Sequence, residues 1–189
     1  MKRIFAILIM LCLMVSVLSV ASVTASAEEA PASDVVVRVR AQKKDGKIVE
    51  IENGDFKSFT DGWEAAVDLA NDHTKLEDNN YDYVVVDLYA DWKANEKGKF
   101  GNDDLDGIEN STIYVPKNTR IVINMNGHTI DRGLTTNEYN GEVMCIDKNA
   151  DVIINNGTIQ GGNSDTGAGG IHIKDGAKVT LNDVHIKEN

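Results

Sequence analysis

The segment that decides the fold begins at Thr112, where one short pattern is written three times: TIYV-PKNT-RIVI from residue 112, VMCI-DKNA-DVII from residue 143 and GIHI-KDGA-KVTL from residue 170. In each copy, two short segments flank a polar turn, and apolar side chains alternate with polar ones. Such alternation is typical of a strand with one buried face. The sequence therefore predicts an all-β fold.

The spacing of the copies predicts how the strands are arranged. Equivalent residues lie 31 positions apart from Ile121 to Val152 and 27 apart from Val152 to Val179. A period of this size indicates a solenoid, here a parallel β-helix in which each coil pairs with the next. We expect five buried columns: Ile113–Met144–Ile171, Val115–Ile146–Ile173, Ile121–Val152–Val179, Ile123–Ile154–Leu181 and Ile130–Ile159–Ile186.

An asparagine follows the second segment of every copy. Asn155 and Asn182 occupy this turn in the later copies, and either Asn124 or Asn126 occupies it in the first, which has two extra residues here. An asparagine amide both donates and accepts hydrogen bonds, so aligned asparagines can form a structural ladder along the stack. We take Asn124, Asn155 and Asn182 as that ladder, with Asn126 as the open alternative.

Residues 112–189 resemble the right-handed parallel β-helix proteins of the pectin-lyase-like group. The resemblance is carried by the asparagine turn, by the runs 126–130 and 156–159, and by Gly169-Gly170-Ile171-His172-Ile173, over about 78 of 189 residues. It implies a right-handed β-helix of three to four coils, counting residues 83–88 as a partial coil. The group contains lyases, glycosidases, adhesins and non-catalytic surface proteins, so it implies no single activity.

The sequence before the repeats predicts a leader and a cap. Residues 1–27 are typical of a signal peptide, with Lys2 and Arg3, an apolar centre and a small-residue cleavage site, so we expect a secreted or cell-surface protein. Residues 28–34 are predicted to form a flexible leader. Residues 35–80 are predicted to form a β-hairpin and an α-helix, from Thr60 to Asn71 and capped by Thr60 or Asp61, that cover the first coil.

Residues 81–189 are assigned to the coils, and no capping element follows Asn189 in the sequence. Natural solenoids have capped ends. We therefore expect the β-helix to be completed by further coils of a longer chain, or by self-association.

Charge narrows the range of partners. The net charge of −11 would become −13 once Lys2 and Arg3 are removed with the signal peptide. So acidic a surface disfavours nucleic acids, anionic membrane surfaces and strongly anionic substrates. After cleavage, Cys145 is the remaining cysteine and no membrane span is expected. We expect Cys145 to pack as a small strand residue rather than react.

One face of the coils is a candidate ligand face. Tyr114, Cys145 and His172 are the outward residues on the first strand of successive copies. In the enzymes that the chain resembles, this face forms the saccharide groove, so these residues are candidates for glycan contacts. The alternative is that they are ordinary exposed strand residues.

The sequence shows no catalytic constellation, because paired carboxylates, a nucleophile motif and a phosphate loop are all missing. We expect no cofactor and no metal, since His172 and His185 should lie on different sheets. Residues 102–107 resemble the first half of a calcium loop, but Ile113 stands where a bidentate glutamate is needed. A solvated acidic loop is the simpler interpretation.

Three hypotheses about function follow. The first is a non-catalytic adhesion or glycan-binding scaffold at the cell surface. The second is the N-terminal part of a polysaccharide lyase or glycoside hydrolase whose catalytic coils lie beyond residue 189. The third is a structural stalk.

Overall fold

A computed structural model describes residues 32–94, 108–109, 112–165 and 167–189. The protein is mostly β with parallel pairing between the repeats, as the element order shows: β1 Val37–Lys43, β2 Ile48–Phe56, α1 Phe59–Asn71, α2 His73–Asp78, β3 Tyr81–Leu88, β4 Trp92–Lys93, β5 Ile108–Glu109, β6 Thr112–Val115, β7 Arg120–Asn124, β8 Thr129–Asp131, β9 Met144–Ile146, β10 Asp151–Gln160, β11 Ile171–Ile173 and β12 Lys178–Lys187. The predicted signal peptide, residues 1–27, and the calcium-like segment, residues 102–107, lie outside the described residues. Among the described helices, none has the length and apolar character that crossing a membrane requires.

Equivalent strands of the three copies pair in parallel and in register. In the larger sheet β7, β10 and β12 are neighbours, and in the smaller sheet β6, β9 and β11 are neighbours. Ile121 pairs with Val152 and Val152 with Val179, while Ile113 pairs with Met144 and Met144 with Ile171. The predicted columns of equivalent residues are therefore confirmed.

Burial decreases along the stack. The column residues of the first two copies are fully buried, whereas Ile173, Leu181 and Ile186 of the third copy are 49%, 43% and 45% exposed. The prediction that these three lie inside is wrong in this respect. Within the described residues, β11 pairs only with β9 and β12 only with β10, so their far edges are not covered.

The turn between the first two strands of each copy depends on one backbone position. Asn118, Asn149 and Gly176 occupy the third turn residue and have φ values of 62°, 58° and 75°. Glycine and asparagine tolerate this left-handed conformation better than other residues. The chain can therefore turn from one sheet to the other in the same way in every copy, which keeps the strands in register.

The N-terminal region extends the larger sheet. β1 and β2 form the predicted antiparallel hairpin, β1 also pairs antiparallel with β3, and β3 pairs parallel with β7. A further strand pair, β4 with β8, places Trp92 beside Ile130. The segment 81–93 therefore adds a partial copy in front of the three that the sequence shows.

Helix α1 buries the predicted apolar face, including Trp63, Ala66 and Val67. Its cap was wrongly predicted at Thr60 or Asp61. The N-cap is Ser58, which has extended backbone angles and whose hydroxyl accepts a hydrogen bond from the Asp61 backbone N–H. Helix α2 was not predicted, because it buries none of its side chains and so has no apolar periodicity.

The predicted asparagines are joined by hydrogen bonds. The Asn182 amide donates to the Asn155 carbonyl oxygen, and Asn155 donates to Asn124, each at 2.8 Å. Asn124 in turn donates at 2.7 Å to Asp87, a carboxylate that also accepts from Arg40 at 2.8 Å. The open choice in the first copy is thus settled for Asn124, since Asn126 instead donates to the backbone carbonyl of Leu88.

We expect Asn155→Ala to lower the free energy of unfolding by about 1–3 kcal/mol, because it removes hydrogen bonds to both neighbours in a partly buried ladder. Asn182→Ala removes one bond at an exposed position and should lower it by less than about 1 kcal/mol. Urea denaturation measures both. Equal losses for the two variants would contradict a ladder that contributes to stability.

Candidate functional site

The column Tyr114, Cys145 and His172 is the starting point of the candidate site. Tyr114 pairs with Cys145 and Cys145 pairs with His172 across β6, β9 and β11. Neighbouring strands lie about 4.8 Å apart, so side chains at paired positions point the same way and touch. The structure thus brings together the three residues predicted as a ligand face.

These residues open into a small hollow of about 90 Å³. Such a volume holds about three water molecules and is well below the range of about 300–1,000 Å³ typical of small-molecule pockets. The hollow is lined by Thr112, Tyr114, Asn140, Glu142, Cys145, His172 and Lys174.

Glu142 is a lining residue that the sequence did not reveal, as is Asn140. Its side chain is almost fully buried, and its Oε1 lies 3.6 Å from Nδ1 of His172. The other oxygen, Oε2, accepts no hydrogen bond from the described residues. Glu142 is a single acidic residue in the connection before β9, so it belongs to no repeating pattern. Its position three residues before Cys145 is the one sequence feature that could have drawn attention to it.

Arg132 makes hydrogen bonds to three residues that line the hollow. Its Nη1 donates to the Thr112 hydroxyl at 2.7 Å and to the backbone carbonyls of Asn140 and Glu142. Burial lowers the pKa of Arg132, while the charge of Glu142 acts in the opposite direction. The guanidinium therefore fixes the backbone on which Glu142 is carried and supplies positive charge beside it.

A second polar group borders the hollow at the turn after β9. The Tyr114 hydroxyl donates to Asp147, and the Lys174 ammonium lies 3.5 Å from the same carboxylate and 5.4 Å from the centre of the Tyr114 ring. Burial acts to raise the pKa of Asp147, but the hydrogen bond from Tyr114, the Lys148 backbone N–H and Lys174 together bring it below the usual value. The Tyr114 ring is therefore held in one orientation.

Cys145 is buried and free of disulfide bonds. Burial raises the pKa of its thiol, and Glu142 and Asp147 add to the rise, whereas Lys174 opposes it. The thiol is therefore protonated at neutral pH unless a cation displaces the proton.

The site contains a thiol, an imidazole and a carboxylate within a few ångströms of one another, together with hydroxyl, amide and ammonium donors. Sulfur, nitrogen and oxygen ligands can bind a transition metal, and the surrounding donors can hold hydroxyl groups. His185 takes no part, since it lies on β12 in the other sheet, as predicted.

Comparison with protein-family models, with curated proteins and with solved structures gives no match for this chain.

We expect the pH midpoint for iodoacetamide modification of Cys145 to lie higher in the folded chain than in urea, because burial raises the pKa of the thiol. By linkage, this shift stabilises the fold below the pKa of the unfolded thiol, and the contribution is lost as pH rises through the folded pKa. Mass spectrometry of the Cys145 peptide measures the midpoint. A value at or below that of the unfolded chain would contradict the burial.

We expect Tyr114→Phe to raise the pKa of Asp147, because the variant loses a hydrogen bond to the charged carboxylate. A lowered carboxyl pKa stabilises the fold above the unfolded pKa, and this contribution is lost as pH falls through the folded value. The variant should therefore lose up to about 1.5 kcal/mol at neutral pH and less in acid. NMR titration of the carboxyl group checks the shift, and an unchanged pKa would rule out the bond.

Proposed function

We propose that this chain is a secreted or cell-surface module whose repeats form a right-handed parallel β-helix, and that it acts as a non-catalytic adhesion scaffold that binds a glycan along the Tyr114–Cys145–His172 face. The observation that carries the proposal is the register of β6, β9 and β11, which aligns these three side chains beside a polar hollow.

The β-helix is supported by the equivalence of the pairing in two separate sheets. β9 follows β6 and β11 follows β9 in one sheet, while β10 follows β7 and β12 follows β10 in the other, always between equivalent residues. Coils stacked at a constant register account for both sets of pairs. The handedness rests on the resemblance of residues 112–189 to the pectin-lyase-like group.

Glycan binding is supported by the chemistry of the face. A sugar offers hydroxyl groups to hydrogen bond and an apolar ring surface to stack, and the face offers the Tyr114 ring beside the donors Asn140, His172 and Lys174. Since the hollow measures about 90 Å³, one substituent of a sugar would enter it while the ring lies along the strands. The net charge of −11 favours a neutral glycan over an anionic one.

Binding is favoured over turnover by the state of the reactive groups. The Cys145 thiol has a raised pKa, which makes it a weak nucleophile at neutral pH. Among the described residues that line the hollow, Glu142 supplies the single carboxylate, whereas glycoside hydrolysis usually requires two at a defined separation.

The secreted or surface location rests on the predicted signal peptide, residues 1–27, and a buried cysteine that is not disulfide-bonded is compatible with it. Sequencing of the exported product would test this part, since cleavage at the predicted site leaves Glu28 as the first residue.

We expect the purified chain to bind one or more neutral polysaccharides in a panel of neutral and acidic ones, measured by biolayer interferometry. His172→Ala should weaken binding roughly tenfold, because about 1.4 kcal/mol of contact energy is lost. The matched control His185→Ala, on the other sheet, should leave binding unchanged.

The other outcomes separate the hypotheses. Release of shorter saccharides would support the lyase or hydrolase alternative. If no polysaccharide of the panel is bound or cleaved, the structural stalk is supported. Equal losses of affinity in the two histidine variants would contradict binding at the proposed face.

A further inference from the structure

We propose that Glu142, Cys145 and His172 form a binding site for a divalent transition-metal ion, with Zn²⁺ as the best fit. Their ligand atoms, a carboxylate oxygen, a thiol sulfur and an imidazole nitrogen, all lie within 4.8 Å of one another. This site goes beyond the proposed glycan binding and does not depend on it.

The distances are close to those of a bound ion. Ligand bonds of about 2.0–2.3 Å in a tetrahedron place neighbouring ligand atoms about 3.4–3.7 Å apart. Nδ1 of His172 and Oε1 of Glu142 are already 3.6 Å apart. The remaining separations are at most 4.8 Å. The ligand atoms would therefore have to move by about 1 Å to reach tetrahedral distances, which side-chain rotation can provide.

The backbone holds two of the three ligands in place. Cys145 and His172 are directly paired on the adjacent parallel strands β9 and β11. Glu142 lies just before β9, on a segment whose carbonyl groups are anchored by Arg132. Ligands fixed by strand pairing lose little freedom when an ion binds, and preorganisation of this kind increases affinity.

A separate observation indicates that the site lacks a partner. Glu142 is 3% exposed and lines the hollow, yet its Oε2 accepts no hydrogen bond from the described residues. A buried carboxylate that is not fully compensated is costly. A cation bound by this carboxylate would compensate its charge.

The size and the donor types specify the ion. A hollow of about 90 Å³ holds an ion with one or two water molecules. Three protein ligands would thus leave a coordination position for water or for a ligand oxygen. A thiolate ligand selects Zn²⁺ and similar metals over Ca²⁺ and Mg²⁺, which prefer oxygen.

Lys174 is the group that competes with the ion. Its ammonium acts on the Cys145 thiol, and it also lies 3.5 Å from Asp147. Because the side chain is partly exposed, it can turn toward Asp147 and solvent when the thiol binds the metal as a thiolate and gives up its proton to water. Binding should therefore release a proton, as is usual for a thiol ligand.

The test is a titration of the purified, chelator-treated chain with Co²⁺, which reports a thiolate ligand through a charge-transfer band in the near ultraviolet. We expect one equivalent to bind, Zn²⁺ to displace it, and Zn²⁺ to raise the Tm of the chain. Cys145→Ser should abolish the band, and His172→Gln and Glu142→Gln should each weaken binding by at least about tenfold, since loss of even an outer-shell partner costs about 10–100-fold.

The matched control is the histidine of the other sheet, because His185 lies on β12. His185→Gln should keep the band and the affinity of the parent chain. Circular dichroism verifies that each variant is folded. Absence of the charge-transfer band, or an equal affinity in Cys145→Ser and the parent, overturns the proposal. No saccharide is present in the titration. A failure to bind metal and a failure to bind a glycan are therefore separate results.

Discussion

The parallel register between β7, β10 and β12 is the constraint on which the rest of the structure depends. Side chains alternate along a strand, so a slip of one residue would turn every buried column outward and break the pairing. The asparagine ladder opposes such a slip, because Asn155 reaches Asn124 and Asn182 only when all three are aligned. The same register in the smaller sheet places Cys145 beside His172. Fold and candidate site therefore share one geometric origin.

The ladder also connects the repeats to the N-terminal hairpin. The ladder ends where the Asn124 amide donates a hydrogen bond to Asp87. The Asp87 residue is 2% exposed, and its carboxylate forms an ion pair with Arg40 on β1. A buried ion pair adds little net stability, but removal of one partner leaves an uncompensated charge. The pair thus ties the hairpin to the repeats in a defined position. Trp63 of helix α1 adds a second tie through its hydrogen bond to the Tyr114 carbonyl on β6.

Most of the repeat architecture could be predicted, because two sequence patterns coincide. The residues that alternate between apolar and polar within a copy are also the residues that recur from one copy to the next. The features that were missed depend on contacts between residues far apart in the chain. Ser58 replaces Thr60 as the cap because backbone angles decide where a helix begins. Glu142 and Arg132 are single charged residues, and their significance comes from folding onto Cys145 and Thr112. Leu181 is exposed because, among the described residues, no strand pairs with the far edge of β12. The alternation within a strand does not show whether a neighbouring strand covers it.

The unequal connections between strands have a consequence for how such a protein can diversify. The connection from β8 to β9 is two residues longer than the matching one from β10 to β11, yet Ile130 and Ile159 remain paired, as do Met144 and Ile171. Longer loops cost little closure entropy, only about 0.6 kcal/mol per doubling. Asn140 and Glu142 lie on the longer connection. A difference of two residues there changes which side chains lie beside Cys145 while the paired residues of the flanking strands keep their register, so the lining of the hollow can vary more freely than the strands.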